Sequence, residues 1–225
     1  MDGVLWEADA PIGNLPAIFD RIRQLELGVT LATNNGSRTV DMYVKRLKNF
    51  GVEVEPWQVV TSALAIAELL SKQFPAGTPL FAIGEEGMLD ALQGKGYELL
   101  PVEQAESAEA VVMGIDRQIN FDKLREATLL VRRGKPFFAT NPDKTFPTPR
   151  GQIPGAGAFI NVIVTATDVQ PTYAGKPYPY LLELALERLG TPKAATYVVG
   201  DRLETDIAGG QSIGCPTALV LSGVS

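Results

Sequence analysis

Gly28-Val29-Thr30-Leu31-Ala32-Thr33-Asn34-Asn35-Gly36-Ser37 sets a short β-prone run, 29–32, directly against a polar turn. Ahead of it, Leu15, Ile18, Phe19, Ile22 and Leu25 recur at helical spacing, with Pro16 suited to a first turn and Gly28 to a stop. Behind it, Val40, Tyr43, Val44 and Leu47 line one face of a second helix. Helix, strand, polar turn and helix in that order predict an α/β unit. The order recurs near the C-terminus: Leu181, Leu182, Ala185, Leu186 and Leu189 on a helix, then a buried-strand run over 195–199, then Gly200-Asp201. A further helix is predicted from near Thr205 and a last strand over 218–221. Short apolar strands alternating with amphipathic helices imply a parallel sheet covered on both faces.

The middle of the chain has its own set: strands over 80–83, 110–113 and 137–139, and helices around 88–92 and 121–131. Phe137 and Phe138 read as core there. From Asn141-Pro142-Asp143 through Pro147, Pro149, Gly151 and Pro154 to Gly157, Pro and Gly accumulate, which predicts a long functional loop. Gly155-Ala156-Gly157 opens like a dinucleotide fingerprint, but Ile160 stands at the third glycine, and no strand is predicted immediately before it. A chain of 225 residues allows one large domain or a domain with an insertion.

Composition narrows the chemistry. With no histidine, Ser-His-Asp and Cys-His nucleophile systems and His-ligated zinc are excluded, so acid/base work falls to carboxylates or lysine. The single cysteine, Cys215, excludes an intrachain disulfide and suits a reducing compartment. A net charge of -6, with no basic run longer than Arg132-Arg133, argues against a nucleic-acid track. The longest apolar stretches, 63–67 and 160–166, fall short of the ~18 residues a membrane span needs. With no signal-peptide pattern at the N-terminus, a cytoplasmic protein is expected.

Ligands of open α/β sheets bind beyond the carboxyl ends of the strands, so the polar residues there carry the functional reading. Four places qualify: Asp2-Gly3, Thr33-Asn34-Asn35, Gly175-Lys176-Pro177, and Gly200-Asp201-Arg202-Leu203-Glu204-Thr205-Asp206. Taken singly, each has a plain account as a turn, a helix cap or a solvated charge. Together they form the inventory of a phosphoryl-transfer site, which needs fixed donors, a cation and usually Mg2+ against the charge of a phosphate monoester. Thr33 offers a hydroxyl, Asn34 and Asn35 offer backbone N–H groups, Lys176 a point charge, and Asp201 and Asp206 hard oxygen ligands.

This order closely resembles the haloacid dehalogenase superfamily of phosphatases, and within it the 4-nitrophenylphosphatase and NagD-like class, over essentially the whole chain. The resemblance implies a Rossmann-like, doubly wound parallel sheet as core, over 1–71 and 169–225, with an inserted α/β cap of C2 type over 72–168. Gly84-Glu85-Glu86-Gly87 and Ala139-Thr140-Asn141-Pro142-Asp143 are phrases typical of that cap class. By the same resemblance Asp2 is the acid/base and lends its backbone carbonyl to Mg2+, Thr33 and Asn34 hold the phosphate, and Lys176 neutralises it. Asp201 then binds the metal directly and Asp206 lies near it as an outer or occasional ligand, while Asn141 and Asp143 meet the substrate.

The family opens with Asp-x-Asp-Gly-Val-Leu, and Asp2 matches its second aspartate, so the nucleophile position falls one residue before Met1. The expectation is a fragment that lacks its first strand and the elements beyond Ser222-Gly223-Val224-Ser225, and that is inactive as it stands. The implied ligand is a small phosphorylated metabolite, and a homodimer is compatible with the resemblance. Two other readings stay open: a non-catalytic protein of the same fold that binds a phosphorylated metabolite, and a phosphoryl acceptor of response-regulator type, although such domains are shorter and have no large cap.

Overall fold

The computed structural model describes residues 1–148 and 150–223. Pro149, from the Pro/Gly-rich loop, and Val224 and Ser225, from the C-terminal stop, lie outside the described residues. The strands begin with β1 (Trp6–Glu7), β2 (Ala10–Pro11), β3 (Leu31–Thr33), β4 (Val59–Thr61), β5 (Pro79–Ile83), β6 (Glu98–Leu99) and β7 (Ala110–Met113). They continue with β8 (Phe137–Ala139), β9 (Thr145–Thr148), β10 (Gly151–Pro154), β11 (Thr172–Tyr173), β12 (Val198–Gly200) and β13 (Thr217–Leu219). The helices are α1 (Leu15–Gln24), α2 (Val40–Asn49), α3 (Ser62–Ser71), α4 (Glu86–Gly94), α5 (Phe121–Arg132), α6 (Ala156–Thr167), α7 (Pro179–Leu189) and α8 (Ala208–Ser212). Two compact units result: Met1–Thr33 with Val40–Thr61 and the chain from Lys176 onward, and Asn34–Thr39 with Ser62–Gly175. Among the described residues no helix is long and apolar enough to cross a membrane.

The second unit is built on a five-stranded sheet in the order β11-β8-β7-β5-β6, every pair parallel. Alternate residues of a strand face opposite sides. Phe81, Ile83, Val111, Met113, Phe137 and Ala139 therefore share one face, where they pack with Leu130 of α5 and Ile160 and Ile163 of α6. Leu80, Val112 and Phe138, on the opposite face, are equally buried, and Phe74 meets Phe138 edge-on at 6.1 Å. A sheet covered on both faces is what near-continuous apolar strands predict.

The first unit gathers around Trp6, Leu15, Phe19, Leu31, Tyr43, Leu47, Val52 and Val59. Its strands form two parallel pairs, β3 with β4 and β12 with β13, and an antiparallel hairpin of β1 with β2. Trp6 is fully buried, lies against the rings of Tyr43 and Phe50, and carries the Arg46 guanidinium 4.6 Å above its ring. Arg46 also donates to the carbonyl of Ala8 at the hairpin tip, so α2 and the hairpin are locked together through one side chain.

Several predicted elements shift. Residues 193–195 are a 3-10 turn started by Pro192, so the strand begins only at Val198. The helix expected near Thr205 starts as a π-turn over Leu203–Ile207 before α8. The Pro/Gly-rich loop contains an antiparallel hairpin, with Phe146 opposite Ile153, and then opens α6. A strand, β10, does precede Gly155 directly, contrary to expectation. It belongs to that antiparallel hairpin rather than to a parallel sheet, and Ile160 still occupies the third glycine position, so no dinucleotide fingerprint is formed.

Candidate active site

Lys176, Asp201 and Asp206 meet beyond β12, Gly3 beside Asp2 packs on the Asp201 carboxylate, and the buried amine of Met1 senses the charges of Asp2, Lys176, Asp201 and Asp206. Burial, and after it Lys176, hold that amine below its ordinary value, while the three aspartates pull the other way. Asp2 is exposed, and its Oδ1 accepts a hydrogen bond from the Trp6 indole Nε1–H at 2.8 Å. A tight loop makes this contact: Gly3 N–H donates to the Trp6 carbonyl and Leu5 N–H to that of Met1. Gly3 has a positive φ of 73°, and a Cβ there would overlap the Asp201 carboxylate. Ser222 Oγ closes the same loop by donating to the Gly3 carbonyl at 2.7 Å. Thr33 ends β3, buried, in register with Thr61 of β4.

Lys176 is only 7% exposed and donates from Nζ to Asp206 Oδ1 at 2.5 Å. The other oxygen, Oδ2, accepts from the backbone N–H groups of Asp201 and Arg202 at 3.2 and 3.1 Å. Burial pushes the Asp206 carboxyl up, but the Lys176 charge and hydrogen bond outweigh it and hold the group below the usual carboxylate range.

A divalent cation fits this group in one way. Among the described residues no three His, Cys, Asp or Glu side chains are placed to hold a metal, so an all-protein cage is not formed. Mg2+ does not need one, because it takes one or two carboxylates and keeps several waters. The Asp201 carboxylate is packed against glycine on two sides, since a Cβ at Gly3 or at Gly223 would overlap it. The Asp201 carboxylate is a hard oxygen donor of the kind Mg2+ takes.

The second unit assembles the remaining predicted residues. Asn34 donates from Nδ2 to both carboxylate oxygens of Asp143, at 3.3 and 3.2 Å, across 109 positions of chain. Asn141, 5% exposed, donates to the Asn34 carbonyl at 2.8 Å and accepts from Asp143 N–H at 3.1 Å. Ser62 Oγ also donates to the Asn34 carbonyl, at 2.5 Å. Asn35 is exposed, and its Oδ1 accepts from the backbone and hydroxyl of Ser37. The Asn141-to-Asp143 loop in turn rests on the start of α6, where Gly157 N–H donates to the Asp143 carbonyl at 2.9 Å and a Cβ would overlap the Pro142 carbonyl. Gly157→Ala is therefore expected to lower the stability of this unit by about 1–3 kcal/mol, read as a lower thermal midpoint.

Sequence reasoning did not single out Trp6, Ser62 or Ser222. A tryptophan within an apolar segment reads as core, and the others act only through partners distant in the chain.

The fold is one that known phosphatases share. The family described as haloacid dehalogenase-like hydrolase matches residues 1–98, and a HAD-hydrolase-like family matches 173–225. An acid sugar phosphatase of Staphylococcus epidermidis is 35% identical over 225 residues, spanning 100% of this chain and 85% of that protein. Among solved structures, a p-nitrophenyl phosphatase from Archaeoglobus fulgidus superposes with a TM-score of 0.92 at 33% identity, covering 100% of this chain and 85% of the other. A glycerol phosphate phosphatase from Mycobacterium tuberculosis, solved in complex with magnesium, gives a TM-score of 0.92 at 34% identity, with coverages of 100% and 67%. The chain belongs to the haloacid dehalogenase-like hydrolases. It is a class IIA phosphatase, a hydrolase of phosphate monoesters with a Rossmann-like core and a cap.

Proposed function

We propose that the chain is a Mg2+-dependent phosphatase of small phosphorylated metabolites, of the sugar phosphate, phosphoglycolate or nucleotide class. One observation carries the reading: a lysine buried to 7% exposure holds its ammonium on Asp206, whose other oxygen accepts from the amide of Asp201. Thr33, Asn34 and Asn35 hold the phosphate, Lys176 meets its charge, and Asn141 and Asp143 serve the substrate by fixing Asn34. Asp2 gives its proton to the leaving oxygen and recovers one from the incoming water, its Oδ1 held by Trp6. The Asp201 carboxylate and the Asp2 carbonyl would hold Mg2+ together with water, and the cation would supply charge against the phosphoryl oxygens. In the family the phosphoryl group passes through an aspartyl-phosphate, on the carboxylate that the pattern places one residue ahead of Met1. The buried Cys215 thiol suits the reducing cytoplasm.

The test uses polypeptide 1–225 and the same polypeptide preceded by an apolar strand ending in aspartate, assayed on 4-nitrophenyl phosphate and glycerol phosphate with Mg2+ or with EDTA. Polypeptide 1–225 is expected to bind inorganic phosphate without turnover, and the extended form to hydrolyse both esters only with Mg2+. A folded extended form that hydrolyses neither overturns the reading.

A further inference from the structure

We propose that Asn35 is a modification site: it deamidates spontaneously through a succinimide with Gly36, and the carboxylate it becomes lowers the hold of its own turn on phosphate. Only the second half rests on the phosphatase reading. Of the chain's seven asparagines, Asn35 alone precedes a glycine, so no Cβ screens the nitrogen that follows it. The fold adds what the dipeptide by itself lacks. Asn35 Oδ1 accepts from Ser37 N–H at 3.0 Å and from Ser37 Oγ at 2.7 Å, an Asx turn whose ring encloses the Gly36 amide and draws Cγ towards its nitrogen. Two donors on that oxygen polarise the side-chain carbonyl and stand where negative charge gathers when Cγ is attacked. Among the described residues Gly36 N–H has no acceptor, and Asn35 is exposed and open to water.

The turn is held from both sides. Ser62 Oγ donates to the Asn34 carbonyl at 2.5 Å, Gly87 N–H donates to the Ser37 carbonyl at 3.1 Å, and a Cβ on Gly36 would stand 3.0 Å from Ser62 Oγ. The Ser37 donors are therefore fixed on the Asn35 amide before any bond forms. In the reaction the Gly36 nitrogen gives its proton to water and bonds to Cγ, the bond from Cγ to Nδ2 breaks, and Nδ2 takes a proton and leaves as ammonia. Water then opens the cyclic imide at Cγ, leaving aspartate, or at the main-chain carbonyl carbon of residue 35, leaving isoaspartate with the chain routed through Cγ. One water is consumed and one ammonia released, with no change of oxidation state. Asp2-Gly3 is the acidic counterpart of this dipeptide, and its geometry is set against the same ring closure. There the Trp6 carbonyl holds Gly3 N–H, and the Trp6 indole, not the residue's own turn, holds Asp2 Oδ1.

The test keeps polypeptide 1–225 at neutral pH in water enriched in heavy oxygen, either folded or in urea, and reads its peptides by mass spectrometry with the aspartate and isoaspartate forms separated. Label is expected at position 35 ahead of every other asparagine, with the folded chain at least as fast as the unfolded one. Ser37→Ala is expected to slow the folded chain about tenfold and to leave the unfolded chain unchanged, and Ser37→Thr, which keeps the hydroxyl, to restore the rate. No label at position 35, a folded chain slower than the unfolded one, or equal rates in the folded native and Ser37→Ala chains each overturns the modification site. Inorganic phosphate affinity, read by calorimetry, is expected to fall about tenfold or more in Asn35→Asp, and to fall in step with label in the aged native chain. Where the native chain binds phosphate, an affinity unchanged in Asn35→Asp overturns the second half. If the native chain binds no phosphate while Asn35 still takes up label, the phosphatase reading falls and the modification site stands.

Discussion

Asp2→Asn, placed in the hydrolysing, N-terminally extended polypeptide, is expected to slow release of glycerol from glycerol phosphate by about 10²- to 10⁴-fold. Hydrolysis of 4-nitrophenyl phosphate should fall much less. An alkoxide is a poor leaving group and needs a proton as the P–O bond breaks, whereas 4-nitrophenolate departs as a stable anion. Asparagine is the informative replacement because its amide oxygen can still accept from Trp6 Nε1–H, so the loop of residues 1–6 keeps its geometry while the transferable proton is lost. Steady-state kcat on the two esters decides the matter, and equal slowing of both would remove Asp2 from proton transfer.

The second large effect is on stability. Trp6→Ala is expected to cost the first unit about 3–5 kcal/mol, read as a lower denaturant midpoint. The side chain is wholly buried among Tyr43, Phe50 and the Arg46 guanidinium, so alanine leaves a cavity between the hairpin and α2. Trp6→Phe separates the two duties of the residue: it retains most of the packing and removes the indole donor to Asp2. Its midpoint should lie near the native one while the orientation of Asp2 is loosened. A Trp6→Ala protein that unfolds at the native midpoint would show that the hairpin does not depend on this contact.

The elements legible in the sequence are those whose burial is regular. Strands over 80–83, 110–113 and 137–139 sit in a sheet covered on both faces and so show as clean apolar runs, and α5 carries its polar face to solvent. Helices α3 and α6 show in the sequence only as apolar stretches, because α3 is buried on most sides and α6 carries exposed Val162, leaving no polar stripe at helical spacing. The 145–154 hairpin is hidden by its prolines, which belong more often to loops than to strands. Lys176 and Asp201 are legible because they follow β11 and β12, and Thr33 because it ends β3, where α/β sheets place their chemistry. The hold of Asp143 on Asn34 and of Trp6 on Asp2 is not, since the former spans 109 positions and the latter comes from a tryptophan whose apolar neighbours mark it as ordinary core.

The six residues Asn34–Thr39 belong to the second unit although the chain on either side of them belongs to the first. For anyone transplanting this second unit between related phosphatases, that interleaving sets the splice points. A transplant of 62–175 alone would strand the Asn141 amide and the Ser62 hydroxyl, both of which donate to the Asn34 carbonyl, and the Gly87 amide, which donates to the Ser37 carbonyl. Gly87 itself lies where a Cβ would overlap the Arg38 backbone, so a donor cap and a host loop from different parents have to agree at that position as well. The second unit is thus a discontinuous module, and its shorter piece is the very turn that follows Thr33.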